Sequence, residues 1–207
     1  MALTEREIRT LNEQFKESPP AAIVQWAISF AKKPVVTTNF RPYEVAILEA
    51  VTQEFKEIPV IWCDTGYNTS HTYRHASELI ARFNLNLKLY VPKQSSAYRD
   101  VIMGIPAVDD PKHSLFTEQV KLEPFQRAME EHLPDVWFTN LRQGQTSHRD
   151  SLDIFSLGKE GLLKVSPFYY WSDSQLDAYL LHKELPNEHN YFDPTKVLEN
   201  RECGLHT

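Results

Sequence analysis

The sequence predicts an α/β fold, a mainly parallel twisted sheet with helices on both faces. Three observations predict it. Short apolar runs such as "PVVTTN" and "IPVIWC" alternate with stretches of helical periodicity. No internal repeat, low-complexity tract or Gly/Ser linker breaks that alternation, so the 207 residues read as one domain, 1–207. A hydrophobic content of 42% with 24% charged residues is that of a water-soluble globular chain.

The elements follow in order. Residues 1–33 form an N-terminal helical segment. In "LTEREIRTLNEQF", Thr4 and Glu7 stand at capping-box spacing, with Ile8, Leu11 and Phe15 on one face. "PPAAIVQWAISFAKK" starts on prolines, which suit the first helical turn. Strand "PVVTTN" then leads to helix "PYEVAILEAVTQEF", opened by Pro42, and "IPVIWC" to "SHTYRHASELIARF". "LNLKLYV" is a third strand. After an irregular stretch come a helix in "KLEPFQRAMEEHL" and strands in "DVWFTNL" and "LLKVSPF". A helix in "SDSQLDAYLLHKE" follows, capped by Ser172 with Gln175 three residues on. Residues 186–207 read as a mobile C-terminal tail.

Composition excludes several classes of function. The two cysteines, Cys63 and Cys203, are too few for a disulfide framework or a Cys-rich metal site. No metal site is expected from the eight histidines; His71 and His75 share a helix face but lack a third ligand and read as helix surface. The formal net charge of −6 argues against nucleic acid as a partner. No apolar run reaches the roughly 18 residues of a membrane span, and the charged N-terminus lacks a signal-peptide core. A cytoplasmic protein is expected.

In parallel sheets, ligands sit outside the carboxyl ends of the strands. The first such loop, "TTNFRP", contains no glycine, since the first of the chain's six glycines is Gly66. It offers the hydroxyls of Thr37 and Thr38 and the guanidinium of Arg41. The second, "CDTGY", places Asp64, Thr65 and Gly66 where a hydroxyl or amine could be held; the same residues also make an ordinary turn. Cys63 ends an apolar strand and reads as core. The loop "RQGQTSHRDS" carries Arg142, Gln145 and Arg149, a combination suited to phosphate or sulfate oxygens. Lys121 and Lys164 could add charge. Cys203 lies four residues from the last residue, Thr207, a poor position for filling a core and a good one for a thiol that reaches a ligand.

"CDTGYNTSHTYRHASEL", "KLEPFQRAM", "LRQGQTSHR", "KVSPFYYWSDSQLDAYL" and "RECGLH", in that order, resemble the thioredoxin-dependent phosphoadenosine phosphosulfate (PAPS) reductases of assimilatory sulfate reduction. The resemblance runs from about Val35 to the C-terminus. It implies an adenine-nucleotide α-hydrolase-like fold and no cofactor. PAPS is then the substrate and thioredoxin or glutaredoxin the reductant, as a step toward cysteine, and a homodimer stays open. It also implies that Cys203 attacks the sulfur of the phosphosulfate and becomes S-sulfonated, releasing adenosine 3′,5′-bisphosphate. Thr37, Thr38, Arg41, Asp64, Thr65, Gly66, Lys121, Arg142, Gln145, Arg149, Lys164, Arg201 and His206 would bind the substrate. A related branch that holds a four-iron cluster needs an adjacent cysteine pair, which this chain lacks.

The sequence departs from the family pattern twice. The family's S-S-F-G loop is replaced by "TTNFRP", with Arg41 at the glycine position. Arg41 then either supplies guanidinium contacts or obstructs the phosphate. The segment between "LPNEHNYFDP" and "RECGLH" is shorter than the family's and lacks its Thr-rich stretch. A related sulfonucleotide enzyme with a different ligand, or a non-catalytic nucleotide-binding protein of this fold, are the competing readings.

Overall fold

The computed structural model describes residues 3–195. Six strands form one sheet in the order β3-β2-β1-β4-β6-β5. They are β1 (Pro34–Thr38), β2 (Val60–Cys63), β3 (Leu87–Tyr90), β4 (Val136–Phe138), β5 (Phe155–Leu157) and β6 (Leu163–Val165). All neighbouring pairs are parallel except β5 with β6, which is antiparallel at the edge. The chain grows outward from β1 through β2 to β3, then returns to the other side of β1 with β4. The switch point between β1 and β4 is where a parallel sheet opens a crevice.

The helices are α1 (Glu5–Phe15), α2 (Pro20–Phe30), α3 (Glu44–Glu54), α4 (Ser70–Phe83), α5 (Ser96–Ile102), α6 (His113–Thr117), α7 (Glu123–His132) and α8 (Asp173–His182). The capping boxes expected at Thr4 and Ser172 are both formed. Each places a side-chain oxygen on an N–H that has no partner within the helix. One sheet face carries the larger core, in which Val36, Val60 and Phe138 pack against Ile23, Val24, Ile47, Leu48 and Leu176 from α2, α3 and α8. On the opposite face Val35, Ile61, Cys63 and Trp137 pack against Phe125, Ala128 and Met129 of α7. Both faces are therefore covered, as an apolar parallel sheet requires. Buried Glu49 of α3 accepts from Tyr179 (2.5 Å) and Lys183 (2.9 Å), which ties α3 to the end of α8.

Several expectations need correction. α3 begins at Glu44, not Pro42, because Tyr43 takes a left-handed backbone (φ 68°) that no α-helix continues through. His75 is buried with Thr72, Ala76 and Leu79 on the inner face of α4, and burial lowers its pKa; only His71 is on the surface. The stretch read as irregular contains α5 and α6, and β5 was not foreseen. The tail expected to be mobile from residue 186 begins as a pinned strap. Asn187 accepts from Tyr43 N–H (2.8 Å), the carbonyl of Asn190 accepts from Thr69 and Thr72, and Asp193 meets Lys121.

Candidate active site

The carboxyl ends of β1, β2 and β4 surround a cavity of about 70 Å³. It is lined by Thr37 and Thr38 of β1, by Asn39, Arg41 and Glu44 in the loop after β1 and the start of α3, by Cys63 of β2, and by Thr139, Asn140 and Leu141 just after β4. Lys121, Phe125, Trp137 and Arg149 complete the wall, and Tyr191 and Asp193 of the strap close it. The volume is several-fold below the roughly 300–1,000 Å³ of a small-ligand site.

The loop after β1 is organised around its own carboxylate. Glu44, 5% exposed, accepts at Oε2 from Thr38 Oγ1 (2.8 Å) and the Asn39 N–H (2.7 Å), and at Oε1 from Arg41 Nε (2.7 Å). Arg41 also donates through Nη2 to the Asn140 carbonyl (3.2 Å), joining the β1 and β4 loops. Phe40 and Tyr43 both adopt positive φ, 53° and 68°, at a cost of about 1–3 kcal/mol each for non-glycine residues. The Phe40 N–H donates to Thr38 Oγ1 and its ring packs on Trp62 at 4.9 Å, which holds that conformation. Thr37 Oγ1 accepts from Trp137 Nε1 (2.9 Å).

Lys121 sits in a π-helical turn, Glu118–Leu122, just before α7. Pro124 in the first turn of α7 has no N–H to extend the α-helical ladder backward, and a wider turn replaces it. That turn buries the Lys121 ammonium against Asp193 and Thr195 Oγ1. Burial alone would raise the Asp193 pKa; Lys121 and Thr195 outweigh it and hold the carboxyl below its usual range.

In the loop after β4, Arg149 is 3% exposed, lines the cavity, and has its guanidinium on the Gln145 carboxamide. Its N–H donates to Thr146 Oγ1 (3.2 Å) and its carbonyl accepts from Tyr169 Oη (2.7 Å). Gly144, at φ +81°, donates its N–H to Asp150 (2.6 Å) and turns the loop back. Arg142 goes elsewhere. It pairs with Asp173 at 2.6 Å, reaches the Trp171 carbonyl, and lies 5.2 Å over the Tyr43 ring.

The structure thus brings Thr37, Thr38, Arg41, Lys121 and Arg149 to one cavity and leaves other expected residues outside it. Gln145 acts through Arg149. Asp64 accepts from the Gly66 N–H, Asn68 and Tyr73, while Thr65 accepts from the Tyr67 N–H; these residues build the turn after β2 and do not line the cavity. Lys164 lies 5.5 Å over the Trp137 ring, along a second cavity of about 1000 Å³ beside α7, and burial lowers its pKa. Arg201, Cys203 and His206 lie outside the described residues. Sequence reasoning missed Glu44, Asn140 and Asp193. An acidic residue at a helix start reads as a dipole partner, and nothing local marks it as a counter-ion for a loop.

Cys63 lines the cavity, but burial pushes its pKa up to about 12. A thiol in that state has almost no thiolate at neutral pH and is a poor nucleophile.

Residues 33–193 match the family model of the phosphoadenosine phosphosulfate reductase domain. A phosphoadenosine 5′-phosphosulfate reductase from Synechococcus is 34% identical over 188 residues, covering 88% of this chain and 79% of the relative. The crystal structure of a PAPS reductase from Candida auris, a phosphate complex, superposes with a TM-score of 0.79 at 25% identity, covering 90% of each chain. An NH3-dependent NAD synthetase from Campylobacter jejuni shares the fold at a TM-score of 0.56 and 12% identity, covering 89% of this chain and 75% of its own. With the sheet order, the switch-point cavity and a family match over most of its length, the chain belongs to the phosphoadenosine phosphosulfate reductase family of enzymes.

Proposed function

We propose that this enzyme reduces PAPS to sulfite and adenosine 3′,5′-bisphosphate through an S-sulfonated Cys203. The observation that carries the choice of thiol is the state of Cys63. It stands at the cavity, yet burial keeps it protonated, which leaves Cys203 as the other cysteine in the sequence. The Cys203 thiolate attacks the sulfonate sulfur, forming an S–S bond, and the S–O bond to the phosphate breaks with its electron pair leaving on oxygen. A dithiol of the thioredoxin or glutaredoxin class then supplies two electrons, releasing sulfite and becoming a disulfide. Lys121 and Arg149 would offset the negative charge that develops on the departing phosphate. The strap that closes the cavity would exclude water from the intermediate. Binding through Thr37, Thr38 and Arg41 would be partly indirect, since Thr38 and Arg41 are engaged with Glu44.

The family match and the placement of two buried cations at the switch point support this reading. A place in assimilatory sulfate reduction in the cytoplasm belongs to the same proposal. No described helix is long and apolar enough to cross a membrane. Incubation with PAPS followed by peptide mass spectrometry tests the mechanism. One sulfonate is expected on Cys203 and none on Cys63; an adduct on Cys63, or on neither residue, overturns it.

A further inference from the structure

The cavity wall contains a buried polar group with no partner among the described residues. Asn140, just past the carboxyl end of β4, is 6% exposed and lines the cavity, and its Oδ1 is buried with no hydrogen-bond partner among the described residues. A native fold rarely leaves a buried acceptor unmade, because desolvation without a replacement bond is destabilising. Its backbone carbonyl, by contrast, is used by Arg41. The side chain has been carried to the cavity and left without a donor from the described residues.

Its neighbour in the wall decides what kind of donor is wanted. Glu44 places a carboxylate beside the end of β1, and the Thr38 hydroxyl, the Asn39 N–H and Arg41 Nε all donate to it, so the guanidinium charge here is already paired. An anionic part of a ligand set here would meet an acceptor oxygen and a guanidinium already paired with a carboxylate. A neutral group bearing N–H donors would meet an acceptor that needs one. The rings of Phe125 and Trp137, 5.1 Å apart, line the same cavity and offer apolar surface to a planar group. A carboxamide matches the edge of adenine, accepting from the exocyclic amine and donating to a ring nitrogen.

We infer that the β1–β4 end of this cavity reads the adenine of the nucleotide rather than its phosphate, with Asn140 as a specificity-determining residue that accepts from the exocyclic amine. The inference rests on the reading of the chain as an adenine-nucleotide enzyme and adds which residue selects the base. Glu44 supports the selection by pairing with Arg41, so that the anionic end of the substrate is directed to Lys121 and Arg149.

Calorimetry with three probes tests this: adenosine 5′-monophosphate, purine riboside 5′-monophosphate, which lacks only the exocyclic amine, and inorganic phosphate. The wild-type protein should prefer the adenosine compound by about tenfold, the discrimination of one good amide–base contact. Asn140→Ala and the similarly sized Asn140→Leu should bind the two nucleotides equally, with phosphate affinity unchanged. The inference is overturned if the wild type shows no preference, if either folded variant keeps it, or if phosphate affinity falls in the same ratio. The wild-type comparison needs no variant, so it decides even if neither variant folds. Nucleotide binding without an amine preference removes Asn140 alone and leaves the proposed reaction standing. A wild type that binds no adenine nucleotide removes both.

Discussion

Arg142 and Arg149 belong to one loop and have different destinations. Arg149 is drawn into the cavity and braced by Gln145; Arg142 turns outward to Asp173, a carboxylate whose side chain is 65% exposed, and covers the ring of Tyr43. The β1 loop repeats the contrast within a few residues. There Arg41 does line the cavity, but Glu44 takes its Nε. A guanidinium in a ligand-edge loop is therefore not yet a ligand contact. Its target is set by where carboxylates from other elements arrive, here from the first turns of α3 and α8.

The largest effect expected concerns chemistry. Cys203→Ser should abolish sulfite release while nucleotide binding persists, because only the nucleophile is lost. Retained sulfite release in that variant would transfer the reaction to Cys63 and break the division between a buried and a reacting cysteine.

The next effect is on stability. Lys121 and Asp193 are both almost fully buried, and removing one partner of such a pair costs on the order of 3–5 kcal/mol. Asp193→Ala should lower the melting temperature and release the strap to protease. The pH dependence has a definite sign. The folded Asp193 pKa lies below its unfolded value, so the pair's contribution is complete above about pH 3.9 and is lost as pH falls through the folded value. Wild-type stability should therefore fall more steeply in acid than that of Asp193→Asn. Parallel acid profiles would mean that the strap is held by its other bonds, at Asn187 and Asn190.

Arg149→Ala should weaken binding of adenosine 3′,5′-bisphosphate by about 1.5–3 kcal/mol, the range for a charge-assisted contact. Arg142→Ala should leave that affinity nearly unchanged and cost on the order of 1 kcal/mol of stability, from lost packing on Tyr43 and an ion pair whose carboxylate is mostly exposed. Equal losses of affinity in calorimetry would erase the distinction between the two arginines.

Much of the fold was legible because it is written locally. α4 spans Ser70–Phe83, the stretch its periodicity marks, and both capping boxes lie where Thr4 and Ser172 put them. β5 was not legible. It has three residues, too few to show alternation, and exists by antiparallel pairing with β6 and by Asn12 of α1, which donates to the Phe155 carbonyl and accepts from the Phe155 N–H. His75 was misread for a related reason. Whether a histidine on α4 faces water depends on which stripe of the helix meets the sheet, and Thr72, Ala76 and Leu79 place it inside. At the site, residue types pointed to the loops after β1 and β4, and residues of both line the cavity. They did not show that Lys164 lies over Trp137, or that Glu44 fills the loop after β1. Each of these depends on contacts distant in sequence or on a carboxylate whose local context is ordinary.

The smallest effect separates the two roles left open for Arg41. The sequence allowed it to replace the family's glycine as an anion contact or to obstruct the site. In the structure its Nε is bound to a buried carboxylate, so removing it exposes Glu44 more than it vacates a phosphate contact. Arg41→Ala should lower affinity for adenosine 3′,5′-bisphosphate, because an uncompensated carboxylate then faces the cavity. Arg41→Gly should show no gain. Glu44→Gln added to Arg41→Ala should restore most of the loss, since the amide keeps the shape and one acceptor and removes the charge. The coupling between the two positions should lie at about 0.5–3 kcal/mol, the range for residues in direct contact. If Glu44→Gln restores nothing, the guanidinium touches the ligand itself. If Arg41→Gly gains reductase activity, the side chain obstructs the cavity, and the contrast between Arg41 and Arg149 becomes one between a plug and a contact.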